Sequence, residues 1–216
     1  CNVSGDLNFI SGIGHAASGS ASFTWGTFNI LSGNANVVFG EYNEAYGDWN
    51  CILGQNNEAS SVYANVFGED NIVSGNFQSV VGMTNTIGSL YVSVFGDNHT
   101  IADGGMYIRD FGVGNGIGSN AAMVDVFGWG NEIQTYNYMN SIFGANNDLL
   151  DGAWCNVVVG DGNIVSVFSG GNYIHGGNSS GGSAPGGYNT PVLPGNTVGK
   201  AISANINGPF GGNVPW

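Results

Sequence analysis

The residues able to do chemistry in this chain are few, and most of them are acids. Glu44 and Glu58 stand 14 residues apart, and Glu132 and Asp148 stand 16 apart. Carboxylates repeated at the period of a stacked chain face one another, and like charges placed opposite destabilise a sheet. A calcium ion would relieve the repulsion, because it takes several carboxylate and carbonyl oxygens. Side chains that splay into solvent relieve it as well, and this is the simpler expectation. These four acids are therefore the only metal candidates, and no other cofactor is expected. Arg109 and Asp125 also share the 16-residue offset and are expected to form an ion pair. No Ser/His/Asp arrangement, phosphate loop or zinc spacing is present. A polysaccharide-cleaving site would gather acids with a basic residue or a Tyr in one groove. Here the acids are scattered, and the expectation is that the protein is not an enzyme.

The frame that positions these residues is a ladder of glycines. Gly12, Gly26, Gly40, Gly54, Gly68, Gly82 and Gly96 are 14 apart, and Gly112, Gly128, Gly144, Gly160 and Gly176 continue at 16. A fixed period of this kind marks a repeat architecture. Two residues before the glycine comes a Val or Ile column, as at Val38, Ile52 and Val66. One before it comes an aromatic-rich column: Phe39, Phe67, Phe95, Phe111, Phe127 and Phe143. Three after it come Asn43, Asn57, Asn71, Asn85, Asn115, Asn131, Asn147 and Asn163. His15 and His99 occupy that same Asn position, and His175 takes the aromatic one, so all three read as substitutions in structural columns.

Gly and Asn are poor helix formers, and a 14-residue unit is too short for a helix hairpin. The pattern predicts an all-β, parallel β-solenoid (a β-roll) of about 11–12 coils, each with two short strands. Stacked Asn side chains are expected to bond amide to amide along the stack. The step from 14 to 16 falls near Gly104-Gly105 and Asn137-Tyr138, and reads as a longer outer loop, since two added residues leave every side chain on its face. Residues 1–7 read as a lead-in, 8–177 as the rod, 178–187 as a Gly/Ser linker and 188–216 as an extended arm.

Composition bounds the partners. Two Lys and Arg stand against fifteen Asp and Glu, a net charge of −13. Nucleic-acid binding rests on basic residues, as does attraction to anionic membrane surfaces, so neither is expected. No apolar run is long enough to span a bilayer. Only 8% of residues are charged. The sequence opens at Cys1, which reads as a processed, exported chain. Cys1, Cys51 and Cys155 fit one disulfide plus one free or intermolecular thiol, and Cys1 is also a lipidation candidate. Asn2, Asn98 and Asn178 head glycosylation sequons.

The unit Asn36-Val37-Val38-Phe39-Gly40-x-x-Asn43-x-Ala45-x-Gly47 resembles the head repeats of YadA-like trimeric autotransporter adhesins over about residues 8–176. The resemblance implies a trimeric β-roll on a bacterial surface that binds host matrix or other cells. One departure points elsewhere. Val or Ile is followed directly by Phe, so both faces of the first strand are apolar. A strand buries alternate residues, so one of the two columns must face outward, and large outward apolar patches mark interfaces. The leading expectation is a secreted structural protein that self-assembles into an extracellular filament or surface layer. Its coil ends and aromatic stripe would meet other copies. The alternative is an adhesin or carbohydrate-binding head for surface polysaccharide or host matrix.

Overall fold

The computed structural model describes residues 1–165, 170–171, 173–177, 180–181, 191–192 and 197–198. The chain is an all-β, parallel β-solenoid of about 12 turns, divided into two compact units, Cys1–Asp103 and Gly104–Trp216. The division falls where the period changes from 14 to 16 residues.

In the first unit each coil gives one longer strand, such as Val37–Glu41, Cys51–Gln55 or Ala64–Glu69. It also gives one short strand, such as Glu44–Ala45, Glu58–Ala59 or Ile72–Val73. Longer strands pair only with longer strands and short with short, in parallel and one coil apart. Val38 stands beside Ile52 and Ile52 beside Val66, while Ala45 stands beside Ala59 and Ala59 beside Val73. The core lies between the two sheets. The Val/Ile column of the longer strands faces inward and is fully buried at Val38, Ile52, Val66 and Val94. The aromatic column therefore faces out.

The repeating unit is half as long as the glycine ladder suggests. Ala17, Thr24, Leu31, Val38, Ala45, Ile52, Ala59, Val66 and Val73 are all buried, one every seventh residue. Backbone with positive φ recurs on the same step, at Phe28, Ala35, Tyr42, Trp49, Asn56, Tyr63, Asp70, Phe77, Thr84, Tyr91 and Asn98. Each coil is thus two half-coils of seven residues. Each has a Gly or Ser, then a left-handed corner, a buried residue that is polar except at Ala64 and Val92, and a second buried residue that is apolar except at Thr24. At Gly54 φ is +136° and an added Cβ would lie 1.8 Å from the carbonyl oxygen of Gly68, so a side chain is excluded by sterics and conformation together.

In the second unit Met106–Val113, Ala122–Trp129, Ser141–Ala145 and Val157–Asp161 pair in the same manner, 16 residues apart. The two added residues do more than lengthen an outer loop. They insert a third inward position, filled by Ala121, Asn137 and Ala153, all fully buried. They also create a further line of parallel bridges from Ala122 to Tyr138, Trp154 and Gly170. The expected loop is a third facet, because an even insertion keeps alternation and gives the core another side chain.

The expected boundaries also move. Asn2–Ser4 pairs with Ala16–Ser18, so the short-strand sheet begins within the expected lead-in. Ser180 and Gly181, expected in the linker, pair with Ile164 and Val165. Pro191–Val192 and Thr197–Val198, expected in the arm, pair with Tyr173–Ile174 and Ser180–Gly181. Composition suggests a linker through its side chains, whereas a parallel ladder needs only backbone. The rest of 178–216 lies outside the described residues.

Candidate functional site

The Asn column forms a hydrogen-bonded spine. Asn57 shows the pattern. Its Nδ2 donates to Asn43 Oδ1 at 3.0 Å and to the Gly68 carbonyl at 2.8 Å. Its Oδ1 accepts the backbone N–H of Asn71 at 3.1 Å and Asn71 Nδ2 at 2.9 Å. Asn43, Asn71 and Asn85 repeat these bonds in the first unit, and Asn131, Asn147 and Asn163 continue them in the second. In the second unit Asn115 Nδ2 also donates to the buried Asp110 Oδ1 at 2.7 Å. His15 substitutes for an amide: its Nδ1 accepts the N–H of Asn29 at 3.2 Å, which leaves Nε2–H to donate to the Ser11 carbonyl at 3.1 Å. His99 is buried in the same column, and its N–H donates to Asn85 Oδ1. Histidine here is structural.

A second spine runs along the opposite corner of the first unit, and the glycine ladder did not reveal it. Asn36 Nδ2 donates to the Gly47 carbonyl at 2.7 Å, Asn50 N–H to Asn36 Oδ1 at 3.0 Å, and Ala64 N–H to Asn50 Oδ1 at 3.0 Å. The spacing of seven between Asn29, Asn36, Asn43, Asn50 and Asn57 is the signal that would have found it. Buried amides left without partners would cost roughly 1–3 kcal/mol each, so both spines are requirements of the stack.

What remains for function is surface. On the outer face of the longer strands, Phe39, Phe95 and Phe143 are about two-fifths exposed, and Trp25 is 56% exposed. Phe67, Phe111 and Phe127 are half-buried. Phe111, Phe127 and Phe143 stack with centroids 5.0 and 5.1 Å apart and planes within 3°. In the first unit, the positions one and three before each glycine, from Phe9 to Phe95, carry no charged side chain. In the second unit the same face holds the Arg109–Asp125 pair. These residues are cross-strand neighbours; Nε donates to Oδ1 at 2.6 Å and Nη2 to Oδ2 at 2.5 Å. The Asp125 hydrogen bond and charge hold the guanidinium pKa up. An exposed pair of this kind contributes roughly 0.2–1 kcal/mol.

The acid pairs are cross-strand neighbours too, Glu44 beside Glu58 and Glu132 beside Asp148. Among the described residues no group of three or more His, Cys, Asp or Glu gathers to hold a metal. The Tyr46 hydroxyl donates to Glu44, and Ser60 Oγ donates to Glu58 at 3.2 Å. The hydrogen bond to Glu44, with burial and the nearby carboxylates, pushes the Tyr46 hydroxyl up to about 12. Asp148 titrates above an ordinary Asp, through burial first and Glu132 second.

The expected disulfide is not formed: Cys1, Cys51 and Cys155 are all free thiols. Cys51 stands one coil from Val37, which is one from Phe23, which is one from Phe9. At about 4.8 Å per coil, its strand is roughly 14 Å from the first longer strand, whereas a disulfide needs Cα atoms within about 7 Å. Cys51 lies on the outer face, and burial raises its pKa. Asn2 and Asn98 are exposed, Asn98 at a left-handed corner. Asn178 lies outside the described residues. Neither a scan against protein-family models nor a search of curated proteins finds a match to the chain.

Proposed function

We propose that the protein is a structural subunit of an extracellular filament or surface layer, and that copies associate side by side through the outer face of the longer strands. One observation carries this reading. In the first unit that face is uncharged at every position one and three before the glycines, although the chain carries a net charge of −13. It exposes Phe9, Trp25, Phe39, Leu53 and Phe95. Monomeric soluble proteins rarely leave so continuous an apolar surface open. A sheet face uncharged at these positions can be covered by an identical face; such isologous pairing closes at two copies, and growth beyond the pair is assigned to the strand edges at the coil ends, which add further strands. The extracellular setting comes from the sequence: few charges and an Asn- and Gly-rich repeat.

The test is sedimentation over a concentration series, with negative-stain imaging of the same samples. The wild type is expected to form larger species as concentration rises. A Trp25→Ser, Phe39→Ser, Phe95→Ser variant is expected to stay monomeric with an unchanged circular-dichroism spectrum, since outward positions add little to the core. A variant that assembles like the wild type would refute the proposal.

A further inference from the structure

We propose that the corner column Trp49, Tyr63, Phe77 and Tyr91 binds a neutral, extended polysaccharide. The four residues follow one another coil by coil at left-handed corners, with φ between 54° and 62°. A non-glycine residue there costs about 1–2 kcal/mol, and bulky side chains are unusual in that region. Folding does not require aromatics at such a corner. The opposite corner of the same coils has the same backbone and carries Asn56, Asp70, Thr84 and Asn98 instead. Each aromatic corner is held by an inter-coil bond, such as Tyr63 N–H to the Asp48 carbonyl at 3.1 Å and Phe77 N–H to the Val62 carbonyl at 3.0 Å.

The geometry of the rings points to the ligand. Successive centroids are 6.1, 5.2 and 4.9 Å apart, with planes inclined by 14°, 13° and 7°. At such separations near-parallel rings are offset, so each leaves part of one face uncovered, like a roof tile. Trp49 is 58% exposed and Phe77 46%. The electron-rich ring face attracts the slightly positive C–H face of a pyranose. A polymer whose sugars repeat at a step close to the coil spacing of about 4.8 Å meets one ring per sugar. Beside the column run groups that suit hydroxyls: Asp48, whose Oδ1 accepts from Asn34 N–H at 2.6 Å, and Asn76, whose Oδ1 accepts from Val62 N–H at 2.9 Å. Asp48 Oδ1 also accepts from Asn34 Nδ2 at 3.3 Å, so the acceptors left for a sugar O–H are Asp48 Oδ2 and the second lone pair of Asn76 Oδ1. The charge of −13 turns away uronates, sulfated glycans and nucleic acids, which leaves an uncharged chain. This column is a corner, separate from the sheet face assigned to self-association.

The probes are microcrystalline cellulose and chitin for co-sedimentation, a soluble β-glucan for affinity electrophoresis, and polygalacturonate as the anionic control. The test variant is Tyr63→Asn, Phe77→Asn, Tyr91→Asn, because Asn tolerates the left-handed corner; Phe77→Asn alone serves if the triple change unfolds. The wild type is expected to be retained on at least one neutral polymer. The triple variant should bind at least about tenfold more weakly, as when aromatic anchors are removed, and Trp25→Ser with Phe39→Ser should bind like the wild type. The proposal is overturned by wild type that binds no neutral polymer, by a folded corner variant that binds equally well, or by preference for polygalacturonate. It is also overturned if only the sheet-face variant loses binding, since assembly would then be what retains the protein.

Discussion

The two units build the same turn after the glycine and a different turn before it. In both, an Asn three residues past the glycine closes the corner with the same bonds, as Asn57 does in the first unit and Asn131 in the second. At the other corner the first unit repeats the seven-residue grammar. The second inserts a third facet, where Asn137 Nδ2 donates to the Gln134 carbonyl at 2.9 Å and Asn140 Nδ2 donates to Asn137 Oδ1 at 3.1 Å. The conserved geometry is the part that templates the next coil, and the variable geometry is a place where the chain spends residues on surface. The outer faces differ as well. At the positions one and three before the glycines the first unit is uncharged, with its acids Glu41 and Glu69 set at the strand ends, whereas the second carries the Arg109–Asp125 pair there. In the proposed assembly, the first unit is the one that other copies cover.

The comparison is sharpened most by removing one amide of the shared Asn column from each unit. Asn57→Ala strands the Gly68 carbonyl and the Asn71 N–H, and Asn131→Ala strands the Gly144 carbonyl and the Asn147 N–H. Each substitution is expected to cost roughly 3 kcal/mol, read from the urea midpoint, with similar losses in the two units. A large loss in one and a negligible loss in the other would show that the shared turn is not equivalent. A smaller effect separates the acid pairs. Asp148 titrates above its ordinary value near 3.9, so the native state holds this proton more tightly than the unfolded chain does. Stability from this site therefore falls as pH rises through the interval just above that value. Asp148→Asn should remove this slope and raise the melting temperature at neutral pH by roughly 1–3 °C. The effect is small because Asp148 is only partly buried and solvent screens the rest of its carboxylate. A lower melting temperature at neutral pH would contradict the assignment.

The fold was legible in the sequence because glycine is required where a coil's carbonyl presses against its neighbour, as at Gly54. The spine at Asn43 and Asn57 was legible for the same reason: a buried amide must be repeated exactly where the stack repeats. The second spine was hidden because its column is broken by Ser22, Ala64, Gln78 and Val92; Ser22 and Gln78 keep a side-chain hydrogen bond, while Ala64 and Val92 keep only burial. The aromatic corner was hidden because nothing in the residue names Trp49 or Phe77 announces a left-handed backbone. The pairing at 180–181, 191–192 and 197–198 is not legible in the sequence because Gly, Ser and Pro carry no strand pattern, while the pairing there is made by backbone.

Cys51 gives the most direct reading of the central claim, because it sits on the outer face of the longer strands, three residues before Gly54, and reports its own covering. Its rate of alkylation should fall as protein concentration rises and copies cover the face, while Cys155, at a corner of the second unit, keeps a constant rate. Labelling of Cys51 that stays independent of concentration, in samples shown by sedimentation to be associated, would mean that this face is not where the copies meet.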